Sequence, residues 1–172
     1  RQMCIRDSFG EDGPLFAERF GVEAWTIYNM TEIASPLHAG PLRGSAGLKG
    51  ITGRPRPWFD LRIVDANDIE VLEGATGELI IRSSRPWALM KGYHNAPAAT
   101  VEAMRNGWFH TGDGFRRDEA GQFFFVDRLK DVIRRRGENI SSFALEAEVT
   151  AHPDVRECAA VAVPSAFSED EV

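Results

Sequence analysis

The stretch Gly107-Trp108-Phe109-His110-Thr111-Gly112-Asp113 sets a carboxylate directly after a hydroxyl and a glycine. Glycine lets a ligand come close to the backbone. A carboxylate only accepts hydrogen bonds, which suits it to the two donors of a ribose diol. The same residues admit a plainer use, because Asp113-Gly114 is a common turn pair. Arg128, fifteen positions after Asp113, either pairs with an anionic ligand or is a solvated surface charge.

Upstream, Asn95 to Gly107 carries helix signals. Pro97 suits the first turn, Val101 and Met104 fall three apart, and Gly107 can end the helix in a left-handed conformation. Further back, Glu78–Arg82 and the alternating Leu61-Arg62-Ile63 segment predict strands, with turns at Asn67-Asp68 and between Gly74 and Gly77. Ser35–Pro57 contains five glycines and four prolines, a density that predicts irregular backbone. Before it, the pattern predicts a helix around Leu15–Phe20, a turn at Gly21 and a buried strand through Val22, Ala24, Trp25 and Ile27. That strand leads into Tyr28-Asn29-Met30-Thr31-Glu32, a post-strand loop of the kind that often displays binding groups. An aromatic face can stack a base, a hydroxyl can bond a phosphate or carbonyl oxygen, and a carboxylate can hold Mg²⁺ beside phosphates. The plainer use is a strand end capped by polar residues.

Downstream, Asp118-Glu119-Ala120-Gly121 predicts a hairpin turn into a strand Gln122–Val126. The composition turns basic and polar from Asp127 to Arg136, which suits a linker plus a short strand pair, and a domain boundary is expected near Arg128–Lys130. A helix Phe143–Ala151, ended by His152-Pro153, and a strand Glu157–Val163 follow. This last unit is expected to be a second domain cut short, near the size below which domains seldom fold unaided.

Composition bounds the rest. With 43% hydrophobic and 10% aromatic residues the chain can bury a core, and a net charge of −6 gives no general field for nucleic acid. The basic patch Arg128, Lys130, Arg134, Arg135 and Arg136 is diluted by Asp127, Asp131 and Glu138. Apolar runs such as Phe123–Val126 and Cys158–Val163 are far shorter than the roughly 20 residues a membrane span needs. Cys4 and Cys158 show no close pairing or metal-ligand spacing, which fits a reducing, cytoplasmic compartment. Residues 1–8 form no signal peptide and read as an extraneous extension. His38, His94, His110 and His152 are isolated and read as structural, and neither Ser83-Ser84 nor Ser141-Ser142 has a partner pattern for nucleophilic catalysis. No Walker or dinucleotide glycine pattern is present.

Taken in order, four segments resemble the adenylate-forming superfamily of acyl-CoA synthetases, carrier-loading adenylation domains and firefly luciferase. They are Tyr28-Asn29-Met30-Thr31-Glu32; Gly77-Glu78-Leu79-Ile80-Ile81-Arg82 through Met90-Lys91-Gly92-Tyr93; Gly107 to Asp113; and Asp127-Arg128-Leu129-Lys130-Asp131 through Arg136-Gly137-Glu138-Asn139-Ile140. The resemblance spans about Phe16–Val172 and implies an α/β fold. Residues 9–127 would be the end of a large AMP-binding domain with its β-rich subdomain, and 128–172 the start of a small α+β C-terminal domain. It implies that Tyr28 stacks on adenine beside Asn29, Thr31 contacts the phosphate or acyl carbonyl, and Glu32 binds Mg²⁺. Asp113 would hold the ribose hydroxyls, Arg128 the nucleotide, Lys130 the hinge, and Gly137 the pantetheine arm of CoA. The implied substrates are ATP, CoA and a carboxylic acid. Arg135 to Ser142 and Pro86-Trp87-Ala88-Leu89 resemble the crotonobetaine/carnitine-CoA ligase-like branch without fixing the acid. Two other roles are consistent with the resemblance, loading of a carrier protein and a non-catalytic scaffold.

The sequence departs from the family at several points. Asn29 stands where the family usually has glycine, and Ala144 where a glutamate would complete a capping box. The family's phosphate loop and C-terminal catalytic lysine are not among these residues, so the chain alone is expected not to turn over.

Overall fold

The computed structural model describes residues 9–42, 50–135, 138–164 and 170–171. Helix α1 (Phe9–Phe20) extends further back than expected and ends where Gly21 turns to a φ of +63°, with the Val22 amide donating to the Ala17 carbonyl. Strands β1 (Thr26–Met30), β2 (Ala34–Ala39), β3 (Ile51–Pro55), β4 (Phe59–Val64), β5 (Gly77–Ser83), β6 (Phe109–Arg117) and β7 (Phe123–Arg128) form one sheet in the order β1-β2-β3-β7-β6-β5-β4. Every neighbouring pair in it is antiparallel. Helix α2 (Pro97–Ala103) starts on its proline and gives way to a 3₁₀ turn, Arg105–Gly107, closed by left-handed Asn106 and Gly107.

Alternation decides which side chains meet. Leu79 and Ile81 of β5 face Leu61, Ile63, Phe109, Phe115 and Phe123 in the main core, with Ile33 and Leu37 closing it beside β1 and β2. On the opposite face Trp108 packs with Val64 and Ile80, and the guanidinium carbons of Arg82 and Arg62 lie 4.1 and 4.7 Å from its ring centroid. The expected turns form as expected. Asp65 accepts the amides of Asn67 and Ile69 around left-handed Asp68, and Asp118 accepts from Gln122 and Gly121 in the β6–β7 hairpin.

Three expectations are corrected. The segment Ser35–Pro57 is not wholly irregular, for it contributes β2 and β3. Gly53 sits at a φ of +89° where a Cβ would strike the His38 carbonyl, so this glycine serves close strand approach, not a loop. The strand expected to be buried through Val22, Ala24, Trp25 and Ile27 begins only at Thr26, and Trp25 and Ile27 are each 50% exposed. β1 stands at the edge of the sheet, and its inward residue is Tyr28. The strand expected over Glu157–Val163 shrinks to β10 (Val163–Pro164), paired with β11 (Asp170–Glu171).

Beyond the sheet, β8 (Ile133–Arg135) and β9 (Glu138–Ile140) form the expected strand pair, and α3 (Ser142–Thr150) the expected helix. Among the described residues no helix is long and apolar enough to cross a membrane.

Candidate active site

The centre of the site is a bulge in β6. Between β5 and β6 the pairing runs from Glu78↔Gly114 to Ile80↔His110, so two residues of advance on β5 correspond to four on β6. Thr111, Gly112 and Asp113 occupy the excess. The Asp-Gly pair is therefore not a hairpin turn but part of a nine-residue strand that bends out of register. Gly112 meets the bend at a φ of +70°. Bulges of this kind re-aim side chains and occur next to active sites.

Asp113 is 4% exposed, and its surroundings come from three distant segments. Tyr28, 85 positions earlier, donates from its hydroxyl to Asp113 Oδ2 at 2.7 Å. Arg128 lies opposite Asp113 in the β6–β7 register and places Nε 3.5 Å from Oδ1. Two residues singled out in the sequence, Tyr28 and Arg128, thus converge on the carboxylate of a third, Asp113. The Tyr28 ring packs edge-on against Phe115, with centroids 5.0 Å apart, and is not presented as an open stacking face. Burial, reinforced by the charge of Asp113, pushes its phenol far above the ordinary tyrosine value.

Thr31 and Glu32 lie in the tight β1–β2 connection, where the Ile33 amide donates to the Met30 carbonyl and Ala34 takes a φ of +54°. Thr31 is exposed and Glu32 half-buried. The Glu32 carbonyl accepts the Met90 amide at 2.7 Å, and its carboxylate accepts the Tyr93 hydroxyl at 3.1 Å. Desolvation and the neighbouring carboxylate raise the Tyr93 phenol above its ordinary value. The Met90 to Tyr93 segment, noticed in the sequence only as part of a motif, is thus what anchors Glu32. Among the described residues no group of three or more His, Cys, Asp or Glu could hold a metal ion. A single carboxylate in the Glu32 position still suits Mg²⁺, which is commonly held by one or two carboxylates together with substrate phosphates and water.

Asn29 is exposed on β1, and Lys130 is exposed in the turn after β7, where the Asp131 amide donates to the Arg128 carbonyl. Gly137 lies outside the described residues.

Sequence reasoning missed two supports of this site. Glu78 accepts the Gly112 amide on Oε1 at 2.9 Å, and its Oε2 receives Arg105 at 3.1 Å and His110 Nδ1 at 2.9 Å. A carboxylate only accepts, so the proton of this last bond belongs to Nδ1. Asp127 is the second, 5% exposed, accepting the Ser141 hydroxyl at 2.7 Å and its own neighbour's amide, that of Arg128, at 2.7 Å. Neither was legible, because each works through a partner that only the folded chain brings near.

No family model matches the chain. The crotonobetaine/carnitine–CoA ligase of Proteus mirabilis is 34% identical over 163 residues, 94% of this chain and 31% of the relative. Among solved structures, ATP-bound MatB from Rhodopseudomonas palustris superposes with a TM-score of 0.77 at 25% identity, covering 95% of this chain and 32% of that one. The O-succinylbenzoate coenzyme A synthetase MenE from Bacillus subtilis, in complex with ATP and magnesium ion, gives 0.75 at 26% identity, covering 87% and 31%. The chain spans about a third of the length of these proteins.

Proposed function

We propose that this chain, which belongs to the adenylate-forming superfamily, is the nucleotide-holding part of an enzyme that joins a carboxylic acid to CoA through an acyl-AMP. The observation that carries the reading is the convergence of Tyr28 and Arg128, from two other segments of the chain, on the buried carboxylate of Asp113.

In the first step the acid's carboxylate oxygen attacks the α-phosphorus of ATP and the bond to pyrophosphate breaks. In the second the CoA thiol attacks the acyl carbon, its proton is lost, and AMP leaves. Neither step needs a protein nucleophile, so the protein contributes position and charge. Asp113 accepts from the ribose hydroxyls, and Arg128 beside it offers guanidinium donors to the nucleotide. Stacking of adenine on Tyr28 requires the ring to turn out of its contact with Phe115. Thr31, exposed in the β1–β2 connection, offers a hydroxyl to the phosphate or acyl oxygen. Glu32 would hold Mg²⁺, which when bound offsets charge on the phosphates. Lys130, in the exposed turn that leaves the sheet, is the point about which the following segment rotates between the two steps.

The test is AMP release from ATP by the full-length protein, with a panel of carboxylic acids including crotonobetaine and carnitine, with and without CoA. Release that requires both acid and CoA supports the reading. Release that requires acid and a carrier protein, or none across the panel, overturns it. The chain of 172 residues alone is expected to release no AMP.

A further inference from the structure

We propose that Glu78 is a positioning residue for Asp113, holding the β6 bulge in the one register that aims this carboxylate at the nucleotide. The inference rests on the nucleotide reading of Asp113 and goes beyond it to a residue on another strand.

A bulge forfeits ladder hydrogen bonds, and the groups left over must find other partners. Here side chains supply them. Glu78 Oε1 takes the Gly112 amide at 2.9 Å. The Thr111 hydroxyl donates to the Leu79 carbonyl at 2.7 Å and accepts the Asp113 amide at 3.1 Å. The Gly112 carbonyl in turn accepts the Leu129 amide at 2.9 Å, immediately after Arg128. Gly112 is therefore gripped from both sides, and the Glu78 end of that grip fixes Asp113 and Arg128 together.

Glu78 is itself held. Its side chain is 12% exposed, Arg105 donates to Oε2 at 3.1 Å, and the His110 imidazole, 2% exposed, donates from Nδ1 to the same oxygen at 2.9 Å. His110 is two residues before Gly112 on the same strand, so one carboxylate spans the bulge from its first ordinary pair to its middle. Arg105 and Asn106 bring the turn that follows α2 into the same network, Arg105 at 3.8 Å from Asp68 and Asn106 bonded to Asp68. A carboxylate used only to stabilise a sheet surface would not need to point at an amide inside the bulge.

The experiment uses the full-length protein and reads kcat/KM for ATP against 2′-deoxyATP, with the acid that the panel identifies. Wild type prefers ATP, and Asp113→Ala abolishes the preference. Glu78→Ala abolishes it too and raises KM for ATP by about tenfold or more, as a displaced binding group does. Glu78→Gln restores most of the preference, since its amide oxygen still accepts from Gly112 and the His110 ring can shift tautomer to accept from the amide nitrogen, the Arg105 bond alone being lost. Ile63→Val, a core change away from the site, lowers the melting temperature and leaves the preference intact. If Asp113→Ala keeps the preference, the nucleotide reading fails. If Asp113→Ala loses it and either Glu78→Ala keeps it or Glu78→Gln fails to restore it, the positioning role of Glu78 is overturned and the nucleotide reading stands.

Discussion

The sheet from Thr26 to Arg128 and the segment after it are built on different terms. All three core clusters found among the described residues lie within Tyr28 to Phe125. Past Arg128, Ile133 and Ser142 are buried, while Val161 and Val163 are largely exposed. Among its described residues the later segment has two two-stranded sheets and one nine-residue helix. Such pieces seldom stand alone. Across the boundary, Asp127 at the end of β7 accepts the hydroxyls of Ser141 and Ser142 at 2.7 and 3.4 Å. Among the described residues the buried clusters belong to the sheet, and polar contacts from Asp127 join the following segment to it.

The contrast breaks most visibly under core truncation. Phe115→Ala removes a fully buried ring and should cost about 3–5 kcal/mol in urea unfolding, whereas Val161→Ala, at 66% exposure, should stay within about 0.5 kcal/mol. All four tryptophans precede Arg128, so their fluorescence reports the sheet. Equal losses from the two substitutions would abolish the distinction.

Asp127→Ala should strand the partly buried hydroxyls of Ser141 and Ser142, a loss of about 1–3 kcal/mol in local stability. Amide exchange in α3 should then speed up while β4, β5 and β6 keep their protection. Uniform acceleration would mean that the two parts unfold as one.

The two tyrosines sharpen the picture at high pH. Both phenols are raised, Tyr28 by burial far more than half-exposed Tyr93. Phenolate absorbance should therefore come in above the ordinary tyrosine range, first from Tyr93 and from Tyr28 only as the sheet unfolds. For linkage, a raised folded value means that the contribution to stability is complete below the unfolded value near 10 and is lost as pH climbs above it. Tyr28→Phe should remove most of that alkaline slope.

The smallest effect is at the β4–β5 turn. Two backbone amides, of Ile69 and Asn67, lower the Asp65 carboxyl below its ordinary value. A depressed folded value gives stability present above the unfolded value near 4 and lost as pH falls through the folded one. The melting-temperature gap between wild type and Asp65→Ala should be present at pH 7 and close in acid. A gap that persists below pH 3 would assign it to shape and not to charge.

Much of this was legible. The turns at Asp65 to Asp68 and Asp118 to Gly121, the proline-led helix and the alternating β4 and β5 all follow from neighbours in the chain, and so does the motif order that marked Tyr28, Asp113 and Arg128. What failed was non-local. The glycines and prolines of Ser35–Pro57 suggested loop, yet Gly53 is there to admit the His38 carbonyl of the next strand. The run from Val22 to Ile27 suggested a buried strand, yet only pairing with β2 decides that Tyr28 faces in and Ile27 out.

By itself the sequence determined the local turns and the strand and helix segments with clean periodicity, and marked Tyr28, Asp113 and Arg128 as candidates, because each of these is read from a residue and its near neighbours. Only the tertiary structure decided that β6 bulges between Glu78 and His110, that Tyr28 spends its hydroxyl on Asp113, and that Asp127 holds Ser141. Those outcomes depend on strand register, and register is chosen by the packing of residues far apart in the chain.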